Sequence, residues 1–276
     1  MSFSVLLSIY HKENPAWFDR SMESIWDDQG VKPSEIVLVK DGPLNTGLDS
    51  VLEKWKTKLG DVLKCVPLEN NVGLGHALNI GMEYCSHELI ARMDTDDVAK
   101  PDRFEKQLAI FEKYKVDVCG SWVSEFNDLE EKITGWRRPP EWHAEIQRYS
   151  KFRCPVNHPS VMYKKKAVEK AGGYKEMMFF EDYYLWARML LSGAVFYNIQ
   201  ESLVHMRAGL GQLERRSGRM YAVKELALFN EFKKMGFFSV LRFWIMVALR
   251  IPVRLMPRSI VRSIYVFLRK SGGLAG

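Results

Sequence analysis

The sequence predicts an α/β protein, a mixed, mostly parallel sheet with helices on both faces. Two patterns carry that expectation. Short apolar runs of strand type alternate with amphipathic helical stretches through the first half of the chain, and each apolar run ends in a polar loop. Strands buried on both faces appear as near-continuous apolar runs, and their alternation with helices implies parallel crossovers. Residues 3–10, 35–40, 62–68 and 88–93 are the first four such strands. Helices are expected between and after them, at roughly 16–28, 48–59, 74–85 and 102–114. Residues 116–126 give a fifth strand. The order is then less regular, with helices at 141–150, 165–171 and 182–192 and two short strands at 194–199 and 203–207.

The most informative stretch is Leu89-Ile90-Ala91-Arg92-Met93-Asp94-Thr95-Asp96-Asp97, an apolar strand ending in three carboxylates within four positions. In open α/β folds the C-terminal ends of strands are where ligands bind. Three acids crowded there repel one another unless a cation offsets them, and hard divalent ions take oxygen ligands from carboxylates and phosphates. The pattern points to a metal that holds a phosphorylated substrate. An acidic turn capping the next helix is the plainer alternative; it accounts for Asp97 or Asp102, with Pro101 as a helix starter, but not for Asp94 on the strand itself.

Composition narrows the classes. A chain of 276 residues with 47% apolar and 12% aromatic content can bury a substantial core. Cys65, Cys85, Cys119 and Cys154 lie far apart with no C-x-x-C pair, the pattern of reduced thiols in a cytoplasmic protein and not of a disulfide framework or zinc site. No signal peptide is expected, because the apolar stretch at 3–9 is short and lacks a basic flank. The net charge of +6 is unevenly placed: no acid follows Glu231, while nine basic residues do, leaving 31 basic against 34 acidic residues up to and including it. Basicity confined to the tail argues against a nucleic-acid partner.

From 237 onward large apolar residues dominate, interrupted by Arg242 and Arg250 and broken by Pro252 and Pro257. A spanning helix needs about 20 mostly apolar residues, and a central arginine is costly, so spanning is not expected. Arg258, Arg262 and Arg269 fall within about 40° of one another on a helical projection, opposite Ile260, Ile264 and Phe267. That composition suits an amphipathic helix lying on an anionic membrane surface. The alternative is a helix pair packed on the domain or on a second subunit, so a homodimer stays open. The expected division is a catalytic domain over 1–230 and a basic amphipathic helical segment over 231–276.

Four loops close the first four strands: Ser8-Ile9-Tyr10, Lys40-Asp41-Gly42-Pro43, Asn70-Asn71-Val72-Gly73-Leu74-Gly75 and Asp94-Thr95-Asp96-Asp97. With parallel strands they converge on one sheet edge. Leu78 stands where a dinucleotide fingerprint would need its third glycine, and no phosphate-loop lysine motif occurs. Each loop alone is ordinary; together they describe a nucleotide pocket beside a metal.

In this order the motifs resemble the GT-A, family 2 inverting glycosyltransferases, in the branch that builds amylovoran, other exopolysaccharides and O-antigens. The resemblance is carried by residues 3–10, Val39-Lys40-Asp41-Gly42-Pro43, Asn71-x-Gly73-Leu74 with Asn79, and Met93-Asp94-Thr95-Asp96-Asp97 followed by Pro101-x-Arg103. It continues through Asn157-His158-Pro159-Ser160, Gly172-Gly173-Tyr174, Glu181-Asp182-Tyr183 and Arg215-Arg216 before Gly218, so that it covers about residues 3–220. One departure is Lys40-Asp41, where many relatives carry two acids.

The resemblance implies a GT-A fold and a metal-dependent, inverting transfer of a hexose, galactose or glucose, from a UDP-sugar. The acceptor it implies is a polyprenyl-diphosphate-linked saccharide in O-antigen, capsule or exopolysaccharide synthesis. It also implies a cytoplasmic enzyme held peripherally on the inner face of the membrane. Asp94, Asp96 and Asp97 would form the Mn²⁺ or Mg²⁺ site, with Asp96 the expected direct ligand. Asp41 would accept a hydrogen bond from uracil or ribose; Ser8 and Tyr10 would flank the base; and Ile9, Asn71, Gly73, Asn79, Arg92 and Thr95 would line the nucleotide-sugar. Asp182 would be the general base, with Glu181 beside it, and helix capping is compatible with either. His158 would face donor sugar or acceptor, unless it is a structural residue, and Arg215 and Arg216 would close over the pyrophosphate from a lid at 208–218. Two other classes compete. A sugar-phosphate nucleotidyltransferase would open with a glycine-rich loop, which His11-Lys12-Glu13-Asn14-Pro15 is not, and an inactive membrane-bound scaffold would not need Asp94, Asp96 and Asp182 together.

Overall fold

A computed structural model describes residues 1–208 and 218–256. The first half is built as the apolar periodicity requires: β1 (Phe3–Ile9), α1 (Pro15–Ile25), β2 (Glu35–Lys40), α2 (Thr46–Leu59), β3 (Leu63–Pro67), α3 (Leu74–Tyr84) and β4 (Leu89–Arg92). Asn14 caps α1 through its side-chain oxygen, and Asn45 caps α2 in the same way. Then come β5 (Val98–Ala99), α4 (Arg103–Lys113), β6 (Val118–Phe126), β7 (Ile133–Arg137), α5 (His143–Tyr149), β8 (Met162–Lys164), α6 (Lys165–Lys170), α7 (Glu181–Leu191) and β9 (Phe196–Arg207). Two helices, α8 (Arg219–Lys234) and α9 (Val240–Leu255), follow.

The nine strands of the described residues form one mixed sheet in the order β3-β2-β1-β4-β8-β6-β9-β5, with β7 on β6. The β1, β2, β3 and β4 ladders are parallel, and β8 joins β4 antiparallel. The chain lays β2 and β3 outward on one side of β1 and then returns to place β4 on its other side. That reversal opens a crevice at the C-terminal ends of β1 and β4, where α/β sheets hold their ligands. Alternation along β1 feeds two cores: Phe3, Val5, Leu7 and Ile9 join residues of α1 and α2 on one face, and Leu6 joins α3, α7 and the C-terminal helices on the other.

Several elements differ from expectation. The strands at 194–199 and 203–207 are one twelve-residue strand, β9, whose parallel ladder with β6 shifts register near Trp122. β5, β7 and β8 were not expected; they are two, five and three residues long, too short or too alternating to stand out as apolar runs. The C-terminal region departs most. α9 continues through Pro252 to Leu255 instead of breaking there; Ala248, whose carbonyl proline leaves without its helical hydrogen bond, is exposed. Arg250 and Arg254 do not form a solvated basic face. Both turn inward and bind the carboxylate of Glu225 on α8, which is 1% exposed. The boundary expected at 230/231 lies inside α8, and Phe232, Phe237, Phe238, Phe243 and Met246 beyond it belong to the main core. The second tail helix, with Arg258, Arg262 and Arg269, lies outside the described residues. No described helix is long and apolar enough to cross a membrane.

Candidate active site

The acids at the end of β4 come together: side-chain oxygens of Asp94, Asp96 and Asp97 all lie within 4.8 Å of one another. Each is held differently. Asp94 bonds the guanidinium of Arg92, which is 1% exposed and sits beneath it. Asp97 is equally buried; one oxygen accepts the backbone N–H of Arg207 at 2.8 Å, while Oδ2 has no partner among the described residues. No side chain donates a hydrogen bond to the Asp96 carboxylate among the described residues. Burial, with the nearby Asp94 charge added, raises the Asp96 pKa to about 6. The same burial, with Asp96 and Asp94 adding to it, raises Asp97 well above the carboxylate range. Three crowded carboxylates, an all-oxygen donor set and an orphaned buried oxygen fit a hard divalent ion.

The nucleotide-side loops meet at Asp41, which is 3% exposed. Its two oxygens accept the backbone N–H groups of Val72, at 2.7 Å, and Gly73, at 3.1 Å. Asn71 donates to the Asp41 carbonyl, and the Asp41 amide donates to the carbonyl of Ile9. Asp41 therefore locks the loop that carries Asn71 and Gly73, and its remaining lone pairs are those open to a ligand. Gly42 makes the crossing possible: its φ is +86°, and a Cβ there would stand 2.9 Å from the Asn71 nitrogen. Ser8 and Tyr10 are partly exposed at the same edge, and Ile9 and Thr95 are buried.

A pocket of about 170 Å³ lies alongside, lined by Leu74, Gly75, His158, Tyr174, Phe179, Glu181 and Asp182. Glu181 and Asp182 open α7. Asp182 Oδ1 accepts the Tyr183 N–H at 2.7 Å, and the Cys154 thiol donates to Oδ2 at 3.6 Å. Burial, with Asp182 adjacent, raises the Glu181 pKa. Phe179 on the pocket wall has φ +74°, a strained conformation for a bulky residue of the kind that gathers at functional sites. His158 bonds the Tyr174 hydroxyl at 2.8 Å, and burial, with Arg92 near, lowers its pKa well below the usual range, so it is neutral. Tyr174 feels the charges of Arg92, Asp182 and Asp94.

Some site residues play supporting parts. Both ends of the Asn79 amide are spent on the backbone of Tyr174, at 2.8 Å each, which fixes the Gly172-Gly173-Tyr174 turn. Arg92 acts beneath the acids and not on the open surface. Arg215 and Arg216 lie outside the described residues. Arg207 was missed by sequence reasoning: its guanidinium donates to the Asp96 and Asn127 carbonyls and stacks on Trp17 and Phe126. Its one sequence signal is its place at the end of a strand before the arginine-rich loop. Of the tryptophans, Trp142 packs edge-on against Tyr114 and Tyr197, while Trp122 and Trp136 both contact Arg138.

This sheet, with its acidic cluster at the switch point, defines a GT-A fold. The family description for glycosyl transferase family 2 matches residues 4–172, and the chain belongs to that family. The amylovoran biosynthesis glycosyltransferase AmsE of Erwinia amylovora is 37% identical over 273 residues, spanning 97% of this chain and 99% of that one. A UDP-Gal:alpha-D-GlcNAc-diphosphoundecaprenol beta-1,3-galactosyltransferase of Escherichia coli is 37% identical over 264 residues, spanning 95% and 94%. Among solved structures, the mannosyltransferase PcManGT of Pyrobaculum calidifontis, in complex with GDP-Man and Mn²⁺, superposes with a TM-score of 0.65 at 14% identity, covering 90% of this chain and 68% of that one. The chain is a glycosyltransferase of the polysaccharide-building kind.

Proposed function

We propose that the protein is a metal-dependent inverting hexosyltransferase that moves galactose or glucose from a UDP-sugar to a saccharide on a polyprenyl diphosphate, in O-antigen, capsule or exopolysaccharide assembly. The observation that carries this reading is the cluster of Asp94, Asp96 and Asp97 at the end of β4, together with Glu181 and Asp182 on the wall of the pocket that begins at Leu74 and Gly75. The reading assigns the cluster to the departing diphosphate and the pocket acids to the attacking hydroxyl. Support for the donor and acceptor comes from the name of the Escherichia coli relative, which matches nearly end to end.

In this mechanism the acceptor hydroxyl oxygen bonds the anomeric carbon from the face opposite the diphosphate. The bond from that carbon to the diphosphate oxygen breaks, its electron pair leaves with UDP, and Asp182 takes the hydroxyl proton. Its Tyr183 and Cys154 contacts hold the carboxylate in place. Neutral His158 and Tyr174 orient the sugar, and Asp41 presents the Asn71–Gly73 loop to the nucleotide. Asp94, Asp96 and Asp97 would hold Mn²⁺ or Mg²⁺, with Asp96 as the direct ligand; when bound, the ion neutralises the diphosphate as a Lewis acid. The enzyme works at the inner face of the cytoplasmic membrane, with the chain from α9 onward as its surface-associating part, and dimer formation is compatible with this.

The test is release of UDP from a panel of nucleotide sugars, with and without EDTA. Turnover with UDP-galactose or UDP-glucose that stops in EDTA and returns with Mn²⁺ supports the reading. Undiminished turnover in EDTA sinks the metal assignment, and no turnover with any UDP-hexose sinks the donor.

A further inference from the structure

α9 is inverted relative to a helix that faces water. Its inward side carries Phe243 and Met246 and also Arg250 and Arg254, both paired with the one carboxylate of Glu225. Projected at 100° per residue, Val240, Leu241, Trp244, Ile245, Leu249 and Leu255 share an outward arc of about 180° that holds only apolar residues. Leu241 is 72% exposed, Trp244 62% and Leu249 61%. The neighbouring α8 adds Met220 and Val223, at 64% and 57%. Exposed apolar surface this continuous marks a partner or a membrane.

Charge selects between them. Arg242 borders the arc with its guanidinium over Phe152, Lys233 lies over the Phe243 ring, and Lys151 donates to the Phe237 carbonyl. None of the three has an acidic partner among the described residues. No acid follows Glu231, and Arg258, Arg262, Arg269 and Lys270 come after α9. Two copies meeting through this face would bring like-charged borders together, since an isologous contact pairs a patch with itself. Residues 257–276 carry four basic residues and no acid, so as an occupant of this face they would offer its basic residues no opposite charge.

We infer that the outward face of α9 docks the protein on an anionic bilayer. The helix lies in the plane of the interface, its apolar arc enters the acyl boundary, and the basic border meets the headgroups. Trp244 is the residue type such interfaces favour. The face connects to the pocket: Arg254 lies 4.8 Å over the ring of Tyr221 on α8, and Tyr221 packs at 5.4 Å on Phe179 of the pocket wall. Docking through α9 therefore brings the pocket to the surface where a lipid-linked acceptor resides. That consequence, though not the docking, rests on the acceptor proposed above.

The test uses the full chain and vesicles of phosphatidylglycerol and phosphatidylcholine, with no sugar substrate present, so that its outcome is independent of the donor reading. Sedimentation with anionic vesicles at low salt, weakened by high salt, is expected. Leu241→Glu, Trp244→Glu and Leu249→Glu combined should lower the partition coefficient by about tenfold or more while leaving UDP release to a soluble acceptor analogue unchanged. Independently of that variant, acyl chains brominated near the headgroup should quench part of the parent fluorescence, and Trp244→Phe should remove that part. The inference is overturned if the parent ignores anionic vesicles at low salt, or if the triple variant binds them as the parent does. It is also overturned if Trp244→Phe leaves the quenching unaltered, or if the variant splits a parent dimer without changing vesicle binding.

Discussion

Glu35→Gln isolates one charge whose contribution the structure lets us size. Glu35 opens β2 at the sheet end opposite the active site and is 4% exposed. It accepts bonds from Ser4 Oγ on β1 at 2.5 Å, Lys64 Nζ on β3 at 2.6 Å, and the Ser86 amide ahead of β4 at 2.5 Å. Burial alone would raise its pKa, but the bonds from Lys64, Ser4 and Ser86 outweigh it and bring the value from 4.5 to about 2. At about 1.4 kcal/mol per pKa unit this sets an upper bound of about 3–4 kcal/mol. Lys64 is 42% exposed and water screens it, so about 2 kcal/mol is expected. The sign is that of a depressed carboxylate: the stabilisation is complete above the unfolded pKa of about 4.5 and is lost as pH falls through about 2. Urea unfolding followed by tryptophan fluorescence should place the variant about 2 kcal/mol below the parent at pH 7, a fall in melting midpoint of about 4–8 °C. By pH 3 the gap should have shrunk by more than half, while UDP release at 20 °C stays near the parent rate. A gap that is the same at pH 3 and pH 7 would refute the electrostatic account and assign the loss to packing.

Two further outcomes bear on the site. Asp182→Asn should lower kcat by about 10²–10⁴-fold with UDP affinity, read by calorimetry, unchanged; near-parental kcat would move the base to Glu181, whose pKa burial already raises. Gly42→Ala should cost about 1–3 kcal/mol, because its positive φ is strained for alanine and its Cβ meets Asn71 backbone. It should also weaken UDP binding through the Asn71–Gly73 loop, and an alanine variant with parental stability and affinity would count against the crossing of the two loops described here.

The legible part of the site is the part set by short-range pattern. The acids after β4, the loop residues Asp41, Asn71 and Gly73, and the Glu181-Asp182 start of α7 all sit at ends of elements that their own periodicity and caps define. Asn79 and Arg207 were harder. Each acts through a partner from a distant element: Asn79 reaches Tyr174, 95 residues away, and Arg207 reaches Asp97, 110 residues away. Nothing local distinguishes an asparagine that holds a turn from one that meets a ligand.

The sequence by itself determined the parallel β1–β4 unit, the convergence of its loops, the acidic cluster and the family, because apolar runs and turn residues act within one element and its neighbours. Only the tertiary structure decided that β8 and β5 close the sheet antiparallel and that two apolar runs join as β9. It alone turned Arg250 and Arg254 inward. A helical projection shows which residues share a face of α9 but not which way that face turns, and Glu225, buried on a different helix, gave Arg250 and Arg254 a shared carboxylate on the inward side. Phe243 and Met246 join the core on that same side, and the more continuous apolar arc is left outward.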